Sequence, residues 1–137
     1  GENFAAGPVE AILGRFSGVA SVVVYAVPDP RTGDQVMAAL ELDADTAFRP
    51  ETFTAFLATQ PDLGTKWAPR FVRVVPGIPL TATGKVDRQP LRGQRWDTTD
   101  PIWWRAAPAE DYRLLTASDV VALRQAFTEA GREGMLT

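Results

Sequence analysis

The sequence predicts an α+β fold in which helices pack against a small three-stranded sheet that contains a hairpin. Its length of 137 residues suits one domain with a hydrophobic core. Segments with helical spacing of apolar residues and short β-branched segments follow each other in the order α-β-β-α-β. After a helical turn that ends at residue 92, we expect an irregular tail and a final helix.

The first half of the chain predicts one helix and a hairpin. Residues 8–16 carry apolar side chains at positions i, i+3, i+4 and i+7, namely Val9, Ile12, Leu13 and Phe16. Pro8 suits the first turn of that helix. Residues 19–27 and 35–42 have the composition of strands, and the proline, aspartate and glycine residues between them predict a turn. The two strands therefore most simply form an antiparallel hairpin.

The second half predicts two more helices and one more strand. Pro50 opens a helix that continues to about Thr59, residues 70–75 read as a third strand, and residues 87–92 read as a helical turn. Residues 97–108 read as irregular. Thr116 with Asp119 three positions later predicts a capped helix that ends at Gly131. We assign residues 1–92 to one subdomain and residues 93–137 to an extension packed on the same domain.

Composition excludes several classes of function. The net charge of −3 gives no basis for bulk electrostatic binding to nucleic acid. The chain contains neither His nor Cys, which rules out Ser-His-Asp triads, Cys-His pairs and metal sites built on those ligands within it. No apolar run has the length of a membrane-spanning helix. Because the sequence opens on Gly1 and a helical pattern follows closely, we expect a fragment of a longer polypeptide.

Residues 78–88 form the stretch with the strongest functional signal. Small hydroxyl residues and Gly84 precede Lys85, and no apolar periodicity runs through them, so the stretch reads as a mobile, solvent-facing loop. A lysine at such a tip is a compact charge that can be carried to an anion. The simpler interpretation is a solvated surface lysine, and composition alone favours it.

Four stretches in order resemble the C-terminal subdomain of the adenylate-forming superfamily, which includes acyl-CoA synthetases, nonribosomal adenylation domains and luciferases. They are residues 1–10, residues 22–34, residues 66–72 and residues 79–88, the last of which matches the lysine motif of the family. The phrase at residues 33–40 and the tail segments at residues 100–104 and 112–116 resemble very-long-chain acyl-CoA synthetases of the fatty-acid transport type. Pro8 departs from the family pattern, which often has an acidic residue there. The lysine motif has the common Thr-Gly-Lys-x-x-Arg form, whereas members of the transport type often have a modified motif.

The resemblance implies the C-terminal lid domain of an AMP-forming fatty acyl-CoA synthetase. Such an enzyme joins a fatty acid to ATP as acyl-AMP and then transfers the acyl group to coenzyme A. It implies Lys85 as the catalytic residue and Gly1 and Gly84 as cofactor-binding residues. ATP, coenzyme A and Mg²⁺ are expected to bind mainly through an N-terminal adenylation domain of the same polypeptide, so the isolated domain should be inactive.

Several alternatives stay open at this point. The domain could belong to a nonribosomal adenylation enzyme, or could be a non-catalytic α+β interaction module. Arg88 reads as an ion-pair partner of the loop or a catalytic group, and Lys66 as an exposed lysine or a contact to coenzyme A phosphate. Trp103 and Trp104 read as packing residues or as membrane contacts. The full-length enzyme is expected in the cytoplasm, with peripheral membrane association as the alternative.

Overall fold

A computed structural model describes residues 6–31 and 33–136, with the side chains of Thr65 and Lys66 excepted. The helices of the described chain, in order, are α1 (Ala6–Leu13), α2 (Pro50–Ala58), α3 (Gly64–Trp67), α4 (Gln89–Gln94) and α5 (Ala117–Glu129), followed by a 3₁₀ helix (Glu133–Leu136). The strands are β1 (Val19–Pro28), β2 (Asp34–Leu42), β3 (Phe71–Val75), β4 (Ile102–Trp104) and β5 (Arg113–Leu114). The α+β class and the predicted order of the first elements are confirmed.

One sheet contains all five strands in the spatial order β1-β2-β3-β4-β5. β1 and β2 form the predicted antiparallel hairpin, with Val24 opposite Ala38. β3 runs parallel to β2, and both β4 and β5 pair antiparallel to their neighbours. The predicted three-stranded sheet is therefore too small. β4 lies within residues 97–108, which the sequence predicts to be irregular, and β5 lies between that segment and the last helix.

The added strands escape prediction because they are so short. β4 has three residues and β5 has two, which is too few to display an alternating pattern. Within β4 the alternation is nevertheless present, since Ile102 and Trp104 pack on one face of the sheet and Trp103 packs on the other. The tail is thus part of the sheet.

Helices cover both faces of the sheet. On the first face α1 and α2 bury Leu13 and Phe53 against strand residues such as Val24 and Leu40. The rings of Phe16 and Phe53 meet edge to face at 5.1 Å. All four residues of the predicted α1 stripe are buried, although the helix begins two residues earlier than predicted and ends at Leu13. Gly14 follows that end directly.

On the second face the residues beyond position 86 supply the cover. Leu91 of α4, Trp96 and Phe127 of α5 pack with the strand residues Tyr25 and Met37. Phe127 is fully buried. The extension therefore shares a hydrophobic core with strands β1 and β2.

Trp103 and Trp104 both have packing roles in the described chain. The Trp103 ring lies 5.5 Å from the ring of Phe48, and the Trp104 ring stacks on Phe71 at 6.0 Å. The Arg113 guanidinium lies 4.7 Å from the centroid of the Trp104 ring. These contacts favour the packing interpretation over the membrane interpretation. No helix among the described residues has the length and apolar character needed to cross a bilayer.

A buried ion pair joins the tail to the centre of the sheet. Arg73 of β3 is only 6% exposed, and its guanidinium donates to the Asp100 carboxylate at 2.8 Å and 3.0 Å. It also donates to the Gln94 side-chain oxygen at 2.7 Å. A buried charge without its partner is strongly destabilising. Arg73 can therefore stay buried in β3 only while the segment before β4, which carries Asp100, stays in place.

We predict that Asp100→Ala lowers the free energy of unfolding by about 3 kcal/mol, because it leaves the Arg73 guanidinium buried without its counterion. The double variant Arg73→Met with Asp100→Ala should recover most of that loss, since the apolar side chain needs no counterion. Urea unfolding of the domain measures both. A double variant as unstable as the single one would show that the ion pair is not the source of the loss.

The last helix begins with the predicted capping box. The Thr116 hydroxyl accepts from the Asp119 amide at 3.1 Å, and the Thr116 amide donates to the Asp119 carboxylate at 2.8 Å. That backbone hydrogen bond, with Arg113 beside it, holds the pKa of Asp119 below its ordinary value of 3.8. The ionised carboxylate is therefore favoured in the folded state.

We predict that Asp119→Asn lowers stability by less than about 1 kcal/mol near pH 7, because its charged partner Arg113 is exposed and solvent screens the pair. The loss of stability relative to the unchanged domain should have its full size above about pH 3.8, the pKa of Asp119 in the unfolded state. It should vanish as the pH falls through the lower folded-state pKa. Thermal unfolding between pH 2.5 and pH 7 measures it, and a gap that stays constant over that range would contradict the assignment.

Candidate functional site

The stretch around Lys85 is a closed hairpin. Leu80 and Val86 pair as an antiparallel bridge, and the Thr81 amide donates to the Lys85 carbonyl at 2.7 Å. Below that pair the Asp87 amide donates to the Pro79 carbonyl at 2.9 Å. The sequence predicts a loop here, and the structure shows in addition that hydrogen bonds between its two arms close this loop. The prediction that the stretch faces solvent is confirmed, since residues 80–86 are all exposed.

Gly84 closes this hairpin through its backbone conformation. Its φ angle is +85°, in the left-handed region, and its amide donates to the Thr81 carbonyl at 2.9 Å. A turn followed by one left-handed residue is the usual way to close a three-residue hairpin loop. A Cβ atom added to Gly84 would meet no described atom within 4 Å. Glycine is therefore favoured here by the backbone angle and not by lack of space within the domain.

The second arm of the hairpin is held to the edge of the sheet by Glu10. The Glu10 carboxylate accepts from the Arg88 guanidinium at 2.8 Å and from the Val24 amide at 2.7 Å. Arg88 also approaches the Val24 carbonyl at 3.5 Å. Of the two interpretations of Arg88, these contacts favour the ion-pair partner. The first arm is held separately, because the Ile78 amide donates to Glu41 of β2 at 2.9 Å.

Lys85 lies exposed at the tip of this anchored hairpin. Its ammonium offers three donors and a full positive charge on a flexible stem, which suits contact with phosphate and carboxylate oxygens. The Thr81 and Thr83 hydroxyls, 3.1 Å apart, add two polar groups to the same turn. The hairpin thus presents a cation and two hydroxyls to whatever lies beyond the surface of the domain.

The other predicted site residues have different outcomes. Gly1 lies outside the described residues, as does the side chain of Lys66, so both stay predictions. The sequence patterns do not reveal the two partners of Glu10, which lie 14 and 78 positions away along the chain. The described residues contain no group of three or more Asp or Glu side chains that could hold a metal ion.

A family model described as the AMP-binding enzyme C-terminal domain matches residues 8–85, which is more than half of the chain. The chain belongs to this family. The match ends on Lys85, at the tip of the hairpin. The resemblance found in the sequence motifs is therefore confirmed, and the small sheet of the domain agrees with it.

Two similar curated proteins are CoA-linking enzymes by name. The domain is 47% identical to a steroid-22-oyl-CoA synthetase of Rhodococcus jostii over 137 residues, which cover 99% of this chain and 25% of that protein. It is 48% identical to a medium/long-chain fatty acid–CoA ligase of Mycobacterium tuberculosis over 103 residues, which cover 75% of this chain and 20% of that protein. The chain thus spans a quarter or less of the length of these relatives.

Solved structures of acyl-CoA synthetases share the fold of the domain. A fatty acyl-CoA synthetase of Mycobacterium tuberculosis superposes with a TM-score of 0.58 at 26% identity. The superposition covers 69% of this chain and 18% of that one.

We predict that Glu10→Ala speeds hydrogen exchange at the Val24 and Asp87 amides by roughly tenfold. The substitution removes a charged acceptor whose hydrogen bonds stabilise the closed arrangement by about 1.5 kcal/mol. Amide exchange followed by NMR measures both sites. Asp62→Ala is the control, because it removes only the exposed pair with Arg15. Faster exchange at Val24 with no change at Asp87 would show that the hairpin does not depend on Glu10.

Proposed function

We propose that the domain is the C-terminal lid of an AMP-forming fatty acyl-CoA synthetase and that Lys85 is its catalytic residue. The observation that carries the proposal is the placement of Lys85. It lies exposed at the tip of an anchored hairpin, in a chain that belongs to the AMP-binding enzyme C-terminal family. The rest of the active site, including the acyl pocket, lies in the larger part of the enzyme.

In the first half-reaction a carboxylate oxygen attacks the α-phosphorus of ATP. A new oxygen–phosphorus bond forms, and the bond from the α-phosphorus to the departing pyrophosphate breaks. The nucleophile and the phosphate are both anionic, so bringing them together is opposed by charge, and positioned cations stabilise the transition state. Lys85 supplies such a charge from the tip of the hairpin. Its role needs no proton transfer, which agrees with a chain that lacks histidine.

In the second half-reaction the thiol of coenzyme A attacks the acyl carbonyl carbon, and AMP leaves. Lys85 has no part in this step. Gly1 is proposed to let the backbone approach the pantetheine chain closely, since glycine has no side chain to block it. Gly84 is proposed to contribute indirectly to the contact with the phosphates, because its positive φ angle closes the hairpin and so places Lys85 at the tip.

The substrate class is proposed from the named relatives. One of these relatives is named for a steroid-22-oyl group and the other for medium- and long-chain fatty acids. A fatty or similarly bulky apolar carboxylate is therefore the proposed substrate, with ATP and coenzyme A as cosubstrates and Mg²⁺ held elsewhere in the enzyme. These relatives also favour a CoA ligase over a nonribosomal adenylation enzyme or an interaction module.

We predict that Lys85→Ala in the full-length enzyme lowers carboxylate-dependent ATP–pyrophosphate exchange by at least about 100-fold. That is the typical effect of removing one group that stabilises developing charge. Formation of the thioester from preformed acyl-adenylate and coenzyme A should change less than about threefold, because that step does not use the cation. Radiolabelled pyrophosphate exchange and a thiol-consumption assay measure the two steps.

Arg49→Ala is the control for this test, since it removes one exposed cation from the start of α2 without touching the hairpin. It should leave both half-reactions unchanged. Equal loss of both half-reactions in Lys85→Ala would contradict the assignment, because the lysine would then support the fold or the whole active site and not one step.

A further inference from the structure

The lysine hairpin has two chemically different faces. Leu80 and Val86 are directly opposite each other in the ladder, so their side chains lie on the same face. Thr81 and Lys85 form the next pair towards the tip, joined by the 2.7 Å backbone hydrogen bond. Because side chains alternate along each arm, that pair lies on the opposite face. One face is apolar, and the other carries the hydroxyl and the ammonium.

The apolar face is open in the described chain. Leu80 is 61% exposed and Val86 is 41% exposed, although both belong to a turn that is hydrogen-bonded internally and anchored at both arms. Single exposed apolar residues are ordinary on protein surfaces and call for no partner. A pair in register, next to the proposed catalytic lysine, is a defined patch with a fixed orientation relative to that lysine.

The occupant that fits this patch is the larger part of the same enzyme. The domain spans 25% of the length of its relative from Rhodococcus jostii, so about three quarters of such a polypeptide lies outside this chain. If Lys85 reaches a phosphate held in that larger part, the tip of the hairpin enters it, which brings residues one and five positions from Lys85 close to the same part. A face bearing Leu80 and Val86 would lose water there, and burial of apolar area is favourable.

We infer that Leu80 and Val86 are positioning residues whose apolar face seats the lysine hairpin against the larger part of the enzyme. This inference rests on the proposed function. Contact on the apolar face leaves the opposite face, with Lys85 and Thr81, turned towards the reacting phosphate. The pair acts through Lys85 and touches no substrate itself.

The test uses the full-length enzyme with Val86→Thr and Leu80→Thr, each of which makes the apolar face more polar. Val121→Thr and Leu114→Thr are matched controls, because these residues are 64% and 49% exposed and lie on α5 and β5, away from the hairpin. We expect each hairpin variant to lower the maximal rate of ATP–pyrophosphate exchange by roughly tenfold, the size that loss of one buried apolar contact gives. The controls should change it less than twofold.

Three further readouts separate positioning from a structural effect. The KM for ATP and the rate of thioester formation from preformed acyl-adenylate should stay unchanged. Val86→Ile keeps the face apolar, so this variant should exchange pyrophosphate at the rate of the unchanged enzyme. The urea midpoint should not move, since the pair is exposed in the domain. Hairpin variants that exchange at the same rate as their controls, while Lys85→Ala has lost exchange, would overturn this inference and leave the proposed function standing.

Two other results would also be decisive. Intact exchange in Lys85→Ala would overturn the proposed function itself. Normal exchange in the hairpin variants, together with lost binding to phosphatidylglycerol vesicles or a lost dimer in sedimentation, would overturn the inference by assigning the apolar face to a membrane or to a second copy.

Discussion

The Glu10 carboxylate is the contact on which the position of the site depends. β1 is an edge strand of the described sheet, and Val24 directs its amide and carbonyl groups away from β2. Glu10 accepts from that amide and Arg88 approaches that carbonyl, so two side chains take the place that a neighbouring strand would fill. The same carboxylate binds Arg88 at the foot of the lysine hairpin. One acidic group thus joins α1, the sheet edge and the arm that carries Lys85.

The extension covers the second face of the sheet, opposite the face on which α1 packs. The family match ends at Lys85, yet Trp96, Ile102 and Phe127 cover the face of the sheet on which Tyr25 and Met37 lie. Without them that face would be exposed and β3 would be an edge strand. The second arm of the hairpin leads directly into this cover, because α4 begins one residue after Arg88 and buries Leu91. The lysine hairpin is therefore connected to α1, on the first face of the sheet, through the Glu10–Arg88 pair, and to α4, on the second face, through the chain itself.

The sequence predicts those parts of the fold whose signals are local. The stripe in α1, the β-branched runs of β1 and β2, the proline at the start of α2 and the Thr116–Asp119 capping box all lie within one element. β4 and β5 are too short for a pattern. The Glu10–Arg88 pair joins residues 78 positions apart, so no periodicity reveals it. The closed hairpin did leave a local signal, since Gly84 stands where a three-residue turn needs a left-handed residue.

The location of Lys85 has an electrostatic consequence under the proposed function. A cation fixed permanently beside ATP would stabilise bound substrate as well as the transition state, and only the difference between the two speeds the reaction. On the exposed hairpin the ammonium is hydrated, and it loses that water only when the hairpin enters the active site. Its interaction with the phosphate then strengthens, because the surroundings screen charge less. The loss of hydration opposes this entry, and burial of the apolar face formed by Leu80 and Val86 offsets part of that cost. A hairpin with one apolar and one cationic face can therefore enter the active site and leave it again.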